Sequence, residues 1–207
     1  MISSLDLKGL PNVSCETMER LRTYQSLLLR WQQTINLVSE RSLPDIWDRH
    51  FRDSAQLLIH IRKDSTYWLD LGSGAGFPGL VCAIIAAEIY PHLKFGLIES
   101  DARKCSFMNE VLRQTATKAI VFNQRIENVS NQRADIVSAR ALAPLHRSLI
   151  FATQHLATGG TCLFPKGIRF KEELAMIQTT WQMNFDVIPS QTCAESVILK
   201  FTNICHD

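Results

Sequence analysis

The sequence predicts an α/β fold with a mainly parallel seven-stranded sheet, helices on both faces and a helical N-terminal extension. From Tyr67 onward, short apolar runs typical of strands alternate with longer segments of helical periodicity. A glycine-rich stretch from Gly72 to Gly79 separates the first of these strands from the first helix. The last two predicted strands are joined by Pro189 to Ala194 alone. Because parallel neighbours need a longer crossover, we expect this pair to be antiparallel.

The composition is that of an ordinary globular protein. The chain has 207 residues, 46% of them hydrophobic, and a formal net charge of +2, which gives no support to nucleic-acid binding through bulk charge. Six cysteines form no Cys-x-x-Cys pair, so we expect reduced thiols and no metal site. The N-terminus lacks the features of a signal peptide, and the longest apolar run, Leu80 to Ala87, is too short to span a bilayer. We therefore expect a cytoplasmic protein without membrane contact.

Helical periodicity predicts two N-terminal helices, at 14–33 and 43–61, which form an extension over residues 1–65. Residues 66–207 are expected to form one compact Rossmann-like unit. Its predicted strands lie near 67–71, 94–98, 118–123, 134–138, 160–165, 184–189 and 195–202. Its predicted helices lie near 78–90, 101–115, 144–157 and 170–182.

The glycine-rich stretch has the layout of a nucleotide-binding strand–turn–helix. Gly72, Gly74 and Gly76 allow tight backbone turns, and the start of the following helix offers unpaired N–H groups and the positive end of its dipole. Glu99 closes the second predicted strand, where its carboxylate can accept hydrogen bonds from both hydroxyls of a ribose. These four residues predict an adenosine-ribose site.

Two cofactor classes compete for this site. Gly74-x-Gly76-x-x-Gly79 matches the dinucleotide fingerprint, which by itself favours an NAD-dependent oxidoreductase. However, Asp70 lies inside the strand before the turn, where dinucleotide-binding sheets usually keep an apolar run, and Gly72 starts the turn earlier. With the antiparallel strand pair at the end of the chain, these features favour a class I S-adenosyl-L-methionine-dependent methyltransferase.

The loops after the third and fourth strands supply further candidates. Ile126 is placed to cover the face of an adenine, and Arg140 follows the fourth strand, where the methyl group is delivered. Arg140 is the candidate catalytic residue, and a surface ion pair with Asp135 or Glu127 is the alternative. His50 either holds the N-terminal helices against the sheet or faces RNA, and its helical spacing with apolar neighbours favours the first role.

Several motifs together resemble a single family. They are Trp31 to Leu37, Arg49 to Ser54, Leu69 to Gly79, Leu97 to Ser100, Arg125 to Glu127 and Ser138 to Ala141. In these motifs, and over nearly its whole length, the chain is similar to the bacterial 16S rRNA guanine-N7 methyltransferases, historically the glucose-inhibited division protein B family.

The resemblance implies methyl transfer from S-adenosyl-L-methionine to N7 of one guanine of 16S rRNA near the decoding site, with S-adenosyl-L-homocysteine as product. By position, it implies that Gly72, Phe77, Ile126, Glu127 and Arg140 contact the cofactor. Many members carry Gly-Glu-Arg before the last strand, where this chain has Ala194-Glu195-Ser196. A basic residue is therefore missing there, and we assign that position no role.

The expected partner is 16S rRNA or the small ribosomal subunit, and the weak net charge favours the assembled particle over naked RNA. Lys166 and Arg169, after the fifth strand, are candidate contacts to RNA phosphates, with a solvated surface as the alternative. We expect a monomer. A non-catalytic, S-adenosylmethionine-binding ribosome-assembly factor and, more weakly, an NAD-dependent oxidoreductase remain as alternative functions.

Overall fold

The computed structural model describes residues 5–178 and 180–206. Its strands are β1 (Tyr67–Leu71), β2 (Lys94–Glu99), β3 (Ile120–Asn123), β4 (Ala134–Ala139), β5 (Leu156–Lys166), β6 (Trp181–Pro189) and β7 (Val197–His206). Within the described residues they form one seven-stranded sheet in the order β3-β2-β1-β4-β5-β7-β6. β7 runs antiparallel to β5 and β6, and all other neighbours are parallel. The predicted mainly parallel sheet and its antiparallel final pair are confirmed.

Helices cover both faces of the sheet. The α-helices are α1 (Cys15–Trp31), α2 (Asp53–Ala55), α3 (Gly79–Ile89), α4 (Ala102–Gln114), α5 (Leu145–His155) and α6 (Phe170–Ile177). Because successive strand side chains point to opposite faces, Trp68 packs with α1 to α4, whereas Leu69 packs with α5 and α6. The two faces thus have separate apolar clusters, as a sheet buried on both sides requires.

The second N-terminal helix differs from the single α-helix predicted over 43–61. A π-helix (Trp47–Arg52), the short α2 and a 3₁₀ helix (Gln56–His60) follow one another. The Ser54 hydroxyl donates to the carbonyl of His50 at 2.6 Å, so a side chain competes with the regular backbone ladder at this point. Hydrophobic spacing does not reveal such a local change of helix type.

Several other boundaries differ from the prediction, among them the end of β7, which lies at His206 rather than near 202. β5 begins at Leu156 rather than near 160, directly after α5 ends, and β6 begins at Trp181 rather than near 184. α6 correspondingly ends at Ile177. Leu156 pairs with Ala134 of β4 before a register shift, so β5 is extended by an irregular pairing that precedes its two glycines. Hydrophobic periodicity does not reveal such a short irregular segment.

The N-terminal segment and the sheet share one apolar cluster. Leu28 of α1 and Leu58 pack in the same cluster as Trp68 of β1 and Ile84 of α3. The division into an extension over 1–65 and a unit over 66–207 stays a prediction. The packing shows that residues of the extension are buried against the element that follows the glycine-rich turn.

The described part of the chain contains no helix long and apolar enough to cross a membrane. Cys15, Cys82, Cys105, Cys162 and Cys193 form no disulfide, and the side chain of Cys205 lies outside the described residues. Within those residues, no group of three His, Cys, Asp or Glu side chains is arranged to hold a metal ion.

A buried carboxylate joins β1, β4 and α3. Asp70 is fully buried, and its side chain accepts a hydrogen bond from the backbone N–H of Gly79 at 3.3 Å and from the hydroxyl of Ser138 at 2.6 Å. Ser138 in turn accepts from the indole N–H of Trp68 at 2.8 Å. Burial raises the pKa of Asp70 from 3.8 to about 6, although the hydrogen bonds from Ser138, Ser73 and Gly79 oppose that rise.

The raised pKa of Asp70 predicts that its negative charge destabilises the folded protein, by an amount that depends on pH. Because the folded pKa is above the unfolded one, the folded state binds more protons between pH 4 and 6, and stability contributed by Asp70 falls as the pH rises through that interval. We expect the free energy of unfolding of Asp70→Asn, relative to wild type, to rise by up to about 3 kcal/mol between pH 4 and pH 7. Urea unfolding at both pH values measures this difference.

Asp135→Asn is the matched control. Burial tends to raise the pKa of Asp135, but hydrogen bonds from Thr66 and Tyr67 outweigh it and lower that pKa. Its stabilisation is therefore complete above pH 4, and the control should show no comparable rise. An Asp70→Asn difference that stays flat or falls across the same interval would mean that the carboxylate is not destabilised by burial.

Candidate active site

A cleft of about 1190 Å³ opens at the carboxyl ends of β1, β2 and β4. Leu71 of β1 is paired with Ile98 of β2 and with Ala139 of β4, so the loops that follow these strands start side by side. The carboxyl end of a parallel sheet is where open α/β folds bind ligands. Residues of the N-terminal extension, including Arg49, His50 and Asp53, line the cleft as well.

The glycine-rich turn forms one wall of this cleft. Gly72, Gly74 and Gly76 have φ values of +62°, +57° and +94°, in the left-handed region that only glycine adopts without strain. A Cβ at Gly74 would meet nothing closer than a backbone oxygen at 3.9 Å, whereas one at Gly76 would lie 2.7 Å from the Tyr24 hydroxyl. Gly74 thus leaves open space beside the turn, and Gly76 permits close packing beneath it.

Glu99 ends β2 opposite this turn. Its carboxylate accepts hydrogen bonds from the backbone N–H of Gly74 at 2.9 Å and of Asp101 at 2.8 Å. Asp101 caps α4 by accepting from the N–H of Arg103. A carboxylate has about four lone-pair positions, so two remain for other donors. The predicted pairing of the glycine turn with an acid at the end of β2 is present in the structure.

The loop after β3 contributes a third wall. Ile126 begins a 3₁₀ turn, and its side chain packs with the α5 face of the sheet. Although only 7% of the residue is exposed, it gives this wall of the cleft an apolar surface. The carbonyl of Ile126 accepts from Nε2 of His155 at 3.2 Å, which ties the turn to α5. Glu127 is exposed and lies 3.8 Å from the Arg147 guanidinium. Both Ile126 and Glu127 line the cleft, and their contact with the cofactor stays a prediction.

Arg140 follows β4 and is largely buried at the junction of the cleft with the extension. Its Nη1 donates to the carbonyl of Arg49 at 3.1 Å and to the Asp53 carboxylate at 3.4 Å, and its Nη2 lies 2.8 Å from Nδ1 of His50. The guanidinium also lies over the ring of Phe77, 5.0 Å from its centroid. Burial lowers the pKa of Arg140, and Asp53 opposes that effect.

The surface ion pair considered as an alternative for Arg140 is not formed. Asp135 instead accepts from Thr66 and Tyr67, and Glu127 is the neighbour of Arg147. The partner is Asp53, which belongs to the quoted Arg49-to-Ser54 motif but received no role from the sequence. That motif was the sequence signal that could have indicated Asp53. Local spacing cannot identify a partner 87 residues away in the chain.

Phe77 is buried beneath the cleft among other rings. It stacks on Tyr24 at 5.3 Å between centroids and on His50 at 4.9 Å, and it meets Phe51 edge-on at 5.4 Å. His50 therefore does hold the extension against the turn, as expected, and it also reaches Arg140. Sequence spacing indicated only the first of these contacts.

The two candidate RNA contacts are in different situations. The Lys166 ammonium lies 2.7 Å from the Glu173 carboxylate, and the same carboxylate oxygen accepts from the N–H of Leu145 at the start of α5. Arg169 is exposed at the rim of the cleft and has no ion pair within the described residues. Ser196 also lines the cleft, so the departure from the resembled family's Gly-Glu-Arg pattern lies at this site.

Comparison with known proteins identifies the family. Residues 17–197 match the family model described as GidB, rRNA small subunit methyltransferase G. A protein named ribosomal RNA small subunit methyltransferase G from Ruegeria pomeroyi is 46% identical over 193 residues, covering 93% of this chain and 94% of the relative. Its namesake from Paramagnetospirillum magneticum is 47% identical over 192 residues, covering 93% and 91%.

Solved methyltransferases share the fold. A methyltransferase from Geobacter sulfurreducens has a TM-score of 0.60 at 13% identity, covering 93% of this chain and 92% of that one. The tRNA (m1A58) methyltransferase TrmI from Aquifex aeolicus has a TM-score of 0.58 at 14% identity, covering 89% and 76%. M. jannaschii TYW2, solved in complex with AdoMet, has a TM-score of 0.57 at 13% identity, covering 84% and 80%.

These findings decide between the two cofactor classes. In the sheet, the antiparallel β7 lies between β5 and β6, whereas dinucleotide-binding sheets have the order 3-2-1-4-5-6. The NAD-dependent alternative is therefore wrong. The chain is an S-adenosylmethionine-dependent methyltransferase and belongs to the rRNA small subunit methyltransferase G family.

Proposed function

We propose that this protein methylates N7 of one guanine of 16S rRNA in the small ribosomal subunit, acting as a monomer in the cytoplasm. The observation that carries the proposal is that one cleft brings the Gly74–Glu99 arrangement of the glycine turn together with the largely buried Arg140 after β4. The family supplies the RNA class, and the free cysteines agree with a reducing compartment.

The cleft fits the cofactor on two observations. Gly74 leaves open space where a side chain would stand, and Glu99 keeps unused lone pairs at the end of β2. We propose that Gly72, Gly74, Gly76, Phe77, Glu99, Ile126, Glu127 and Arg140 hold S-adenosylmethionine. When bound, it supplies an electrophilic methyl group on sulfur. Of these residues, Phe77 is almost fully buried, so we expect its ring to act mainly by supporting Arg140 and His50.

The reaction needs orientation more than proton transfer. N7 of guanine carries an exposed lone pair, so no general base is required before attack, and positioning supplies the catalysis. The guanine must be unpaired or extruded to enter the cleft. The methylated ring is positively charged, and the ion pair of Arg140 with Asp53 avoids an unbalanced cation beside it.

We propose that Arg140 is the catalytic residue that contacts the acceptor. A guanidinium has five N–H donors, and three are used by Arg49, Asp53 and His50. Two donors remain for guanine O6 or a phosphate oxygen. The direction of these donors is fixed by the three bonds already made.

Lys166 and Arg169 remain the proposed RNA contacts, and the structure supports Arg169 better than Lys166. Arg169 is exposed and unpaired within the described chain at the mouth of the cleft, which suits a phosphate contact. The ammonium of Lys166 would have to leave Glu173 to meet a phosphate. The weak net charge of +2 favours an assembled particle, which presents the guanine in a fixed position, over naked RNA.

Gly74→Val tests the cofactor site. The substitution places a branched side chain in the open space of the turn, so we expect affinity for S-adenosylhomocysteine, measured by calorimetry, to fall at least about 100-fold. A residue at φ +57° is also strained by roughly 1–2 kcal/mol. Gly159→Val is the matched control, because Gly159 has φ +73° and open space but does not line the cleft. Equal affinity in the two variants would place the cofactor elsewhere.

The activity itself is tested on small ribosomal subunits from cells that lack this gene. Labelled S-adenosylmethionine is supplied, and N7-methylguanine is mapped by chemical cleavage of the RNA. We expect one new cleavage site, in 16S rRNA, and weaker transfer to deproteinised 16S rRNA. No incorporation by a protein that binds the cofactor would reject the proposed acceptor.

Arg169→Ala tests the rim of the cleft. Loss of one phosphate contact should weaken subunit binding and make its logarithmic salt dependence shallower by roughly 0.7–0.9. Arg133→Ala is the control, since Arg133 is exposed at the amino end of β4, the opposite edge of the sheet. The salt dependence of KM for the subunit measures both. Identical slopes for the two variants and wild type would make Arg169 a solvated side chain.

A further inference from the structure

A chain of hydrogen bonds leads from Arg140 into the N-terminal extension. Nη2 of Arg140 lies 2.8 Å from Nδ1 of His50, and Nε2 of His50 lies 2.8 Å from the Ser42 hydroxyl. The Ser42 hydroxyl donates to the carbonyl of Ser39 at 2.7 Å. Three side chains and a main-chain carbonyl thus form a continuous series that ends at Ser39 of the extension.

The chemistry of the groups fixes every proton in this series. A guanidinium can only donate, so Nδ1 of His50 must accept. The ring is therefore neutral, with its proton on Nε2, and that proton is donated to Ser42. Because the Ser42 hydroxyl is already directed at Ser39, its lone pair faces the ring. The opposite tautomer would place an N–H against the guanidinium.

The surroundings keep the imidazole neutral and hold its plane. Burial, and then the nearby charges of Arg140 and Arg49, lower the pKa of His50 from 6.5 to about 3. Its ring is stacked on Phe77 with an interplanar angle of 30°. Phe77 is itself fixed against Tyr24 and Phe51. The acceptor that meets Arg140 therefore has one protonation state and one orientation.

We propose that His50 is a positioning residue that directs the guanidinium of Arg140 toward the acceptor base. The inference rests on the proposed function, since it assigns Arg140 to the acceptor. The 2.8 Å contact of Arg140 with His50 is shorter than its 3.4 Å contact with Asp53. The histidine therefore fixes the direction of the guanidinium, while the carboxylate balances its charge. The N-terminal extension thereby becomes part of the active site.

Two substitutions at His50 separate positioning from packing. The amide oxygen of Asn can take the place of Nδ1, so His50→Asn keeps an acceptor for Arg140 but loses the bond to Ser42. The amide nitrogen of Gln reaches the place of Nε2, so His50→Gln keeps the bond to Ser42 but loses the acceptor. Both variants lose the ring stacked on Phe77, which makes them a matched pair.

We expect kcat of His50→Gln to fall about 10- to 100-fold, toward that of Arg140→Ala, because a hydrogen bond to a charged group is lost. His50→Asn should stay within about fivefold of wild type. Melting temperatures should fall equally in the two variants. His92→Gln, at an exposed histidine away from the cleft, should leave kcat unchanged. Equal kcat losses in the Asn and Gln variants, or a larger loss in Asn, would overturn the positioning role.

A second readout does not depend on turnover. ¹⁵N NMR of the imidazole should show the neutral tautomer with its proton on Nε2 in wild type, and Ser42→Ala should reduce the population of that tautomer. A proton on Nδ1, or a charged ring at neutral pH, would overturn the inference even in an active enzyme. If wild type transfers no methyl group to small subunits, the proposed acceptor is rejected. The tautomer measurement would still show whether His50 accepts a hydrogen bond from Arg140.

Discussion

The architecture depends on the buried carboxylate of Asp70. It lies in the first strand, at the point where the chain must turn sharply into α3, and it binds the first N–H of that helix and a hydroxyl on β4. A Cβ at Gly79 would lie 2.6 Å from the Cβ of Asp70, so the approach of helix to strand requires glycine there. One side chain therefore fixes the glycine turn relative to β4, the strand that Arg140 follows. The desolvation of this carboxylate is the cost of that link.

The extension completes the site from the opposite side. The Asp53 carboxylate balances Arg140 and also accepts from Gln56 and from Thr192 in the β6–β7 connection. The π-helical turn and the first residue of α2 place Arg49, His50 and Asp53 so that a carbonyl, a ring nitrogen and a carboxylate converge on one guanidinium. π-Helical turns are often found at functional sites, and this one has a definable purpose. The extension thus covers apolar surface and, under the proposed function, shapes the reaction centre.

The sequence could predict the features that depend on local patterns, but not those that depend on individual side-chain and tertiary contacts. Strand–helix alternation, the glycine turn and the acid at the end of β2 are local patterns, and the sheet and the Gly74–Glu99 pairing matched them. The helix type at 47–60 depends on single side-chain hydrogen bonds, which hydrophobic periodicity does not record. Arg140 was singled out by its place after β4, but its partners His50 and Asp53 are brought to it only by the tertiary fold. Lys166 and Glu173 are only seven residues apart, but their pairing crosses the turn from β5 into α6, where no periodicity applies.

Burial shifts the pKa of both Asp70 and His50, which lie near Arg140. It raises the pKa of Asp70 to about 6 and lowers the pKa of His50 to about 3, so at neutral pH the imidazole is neutral whereas Asp70 is still mainly ionised. The ion-pair partner of Arg140 in the described structure is Asp53. A free cation beside the acceptor would oppose the positive charge that forms on a methylated purine. With that charge matched, the proposed role of Arg140 toward the substrate rests on the direction of its two unused N–H donors. For an acceptor nitrogen that needs no deprotonation, an ion-paired guanidinium that supplies direction is sufficient.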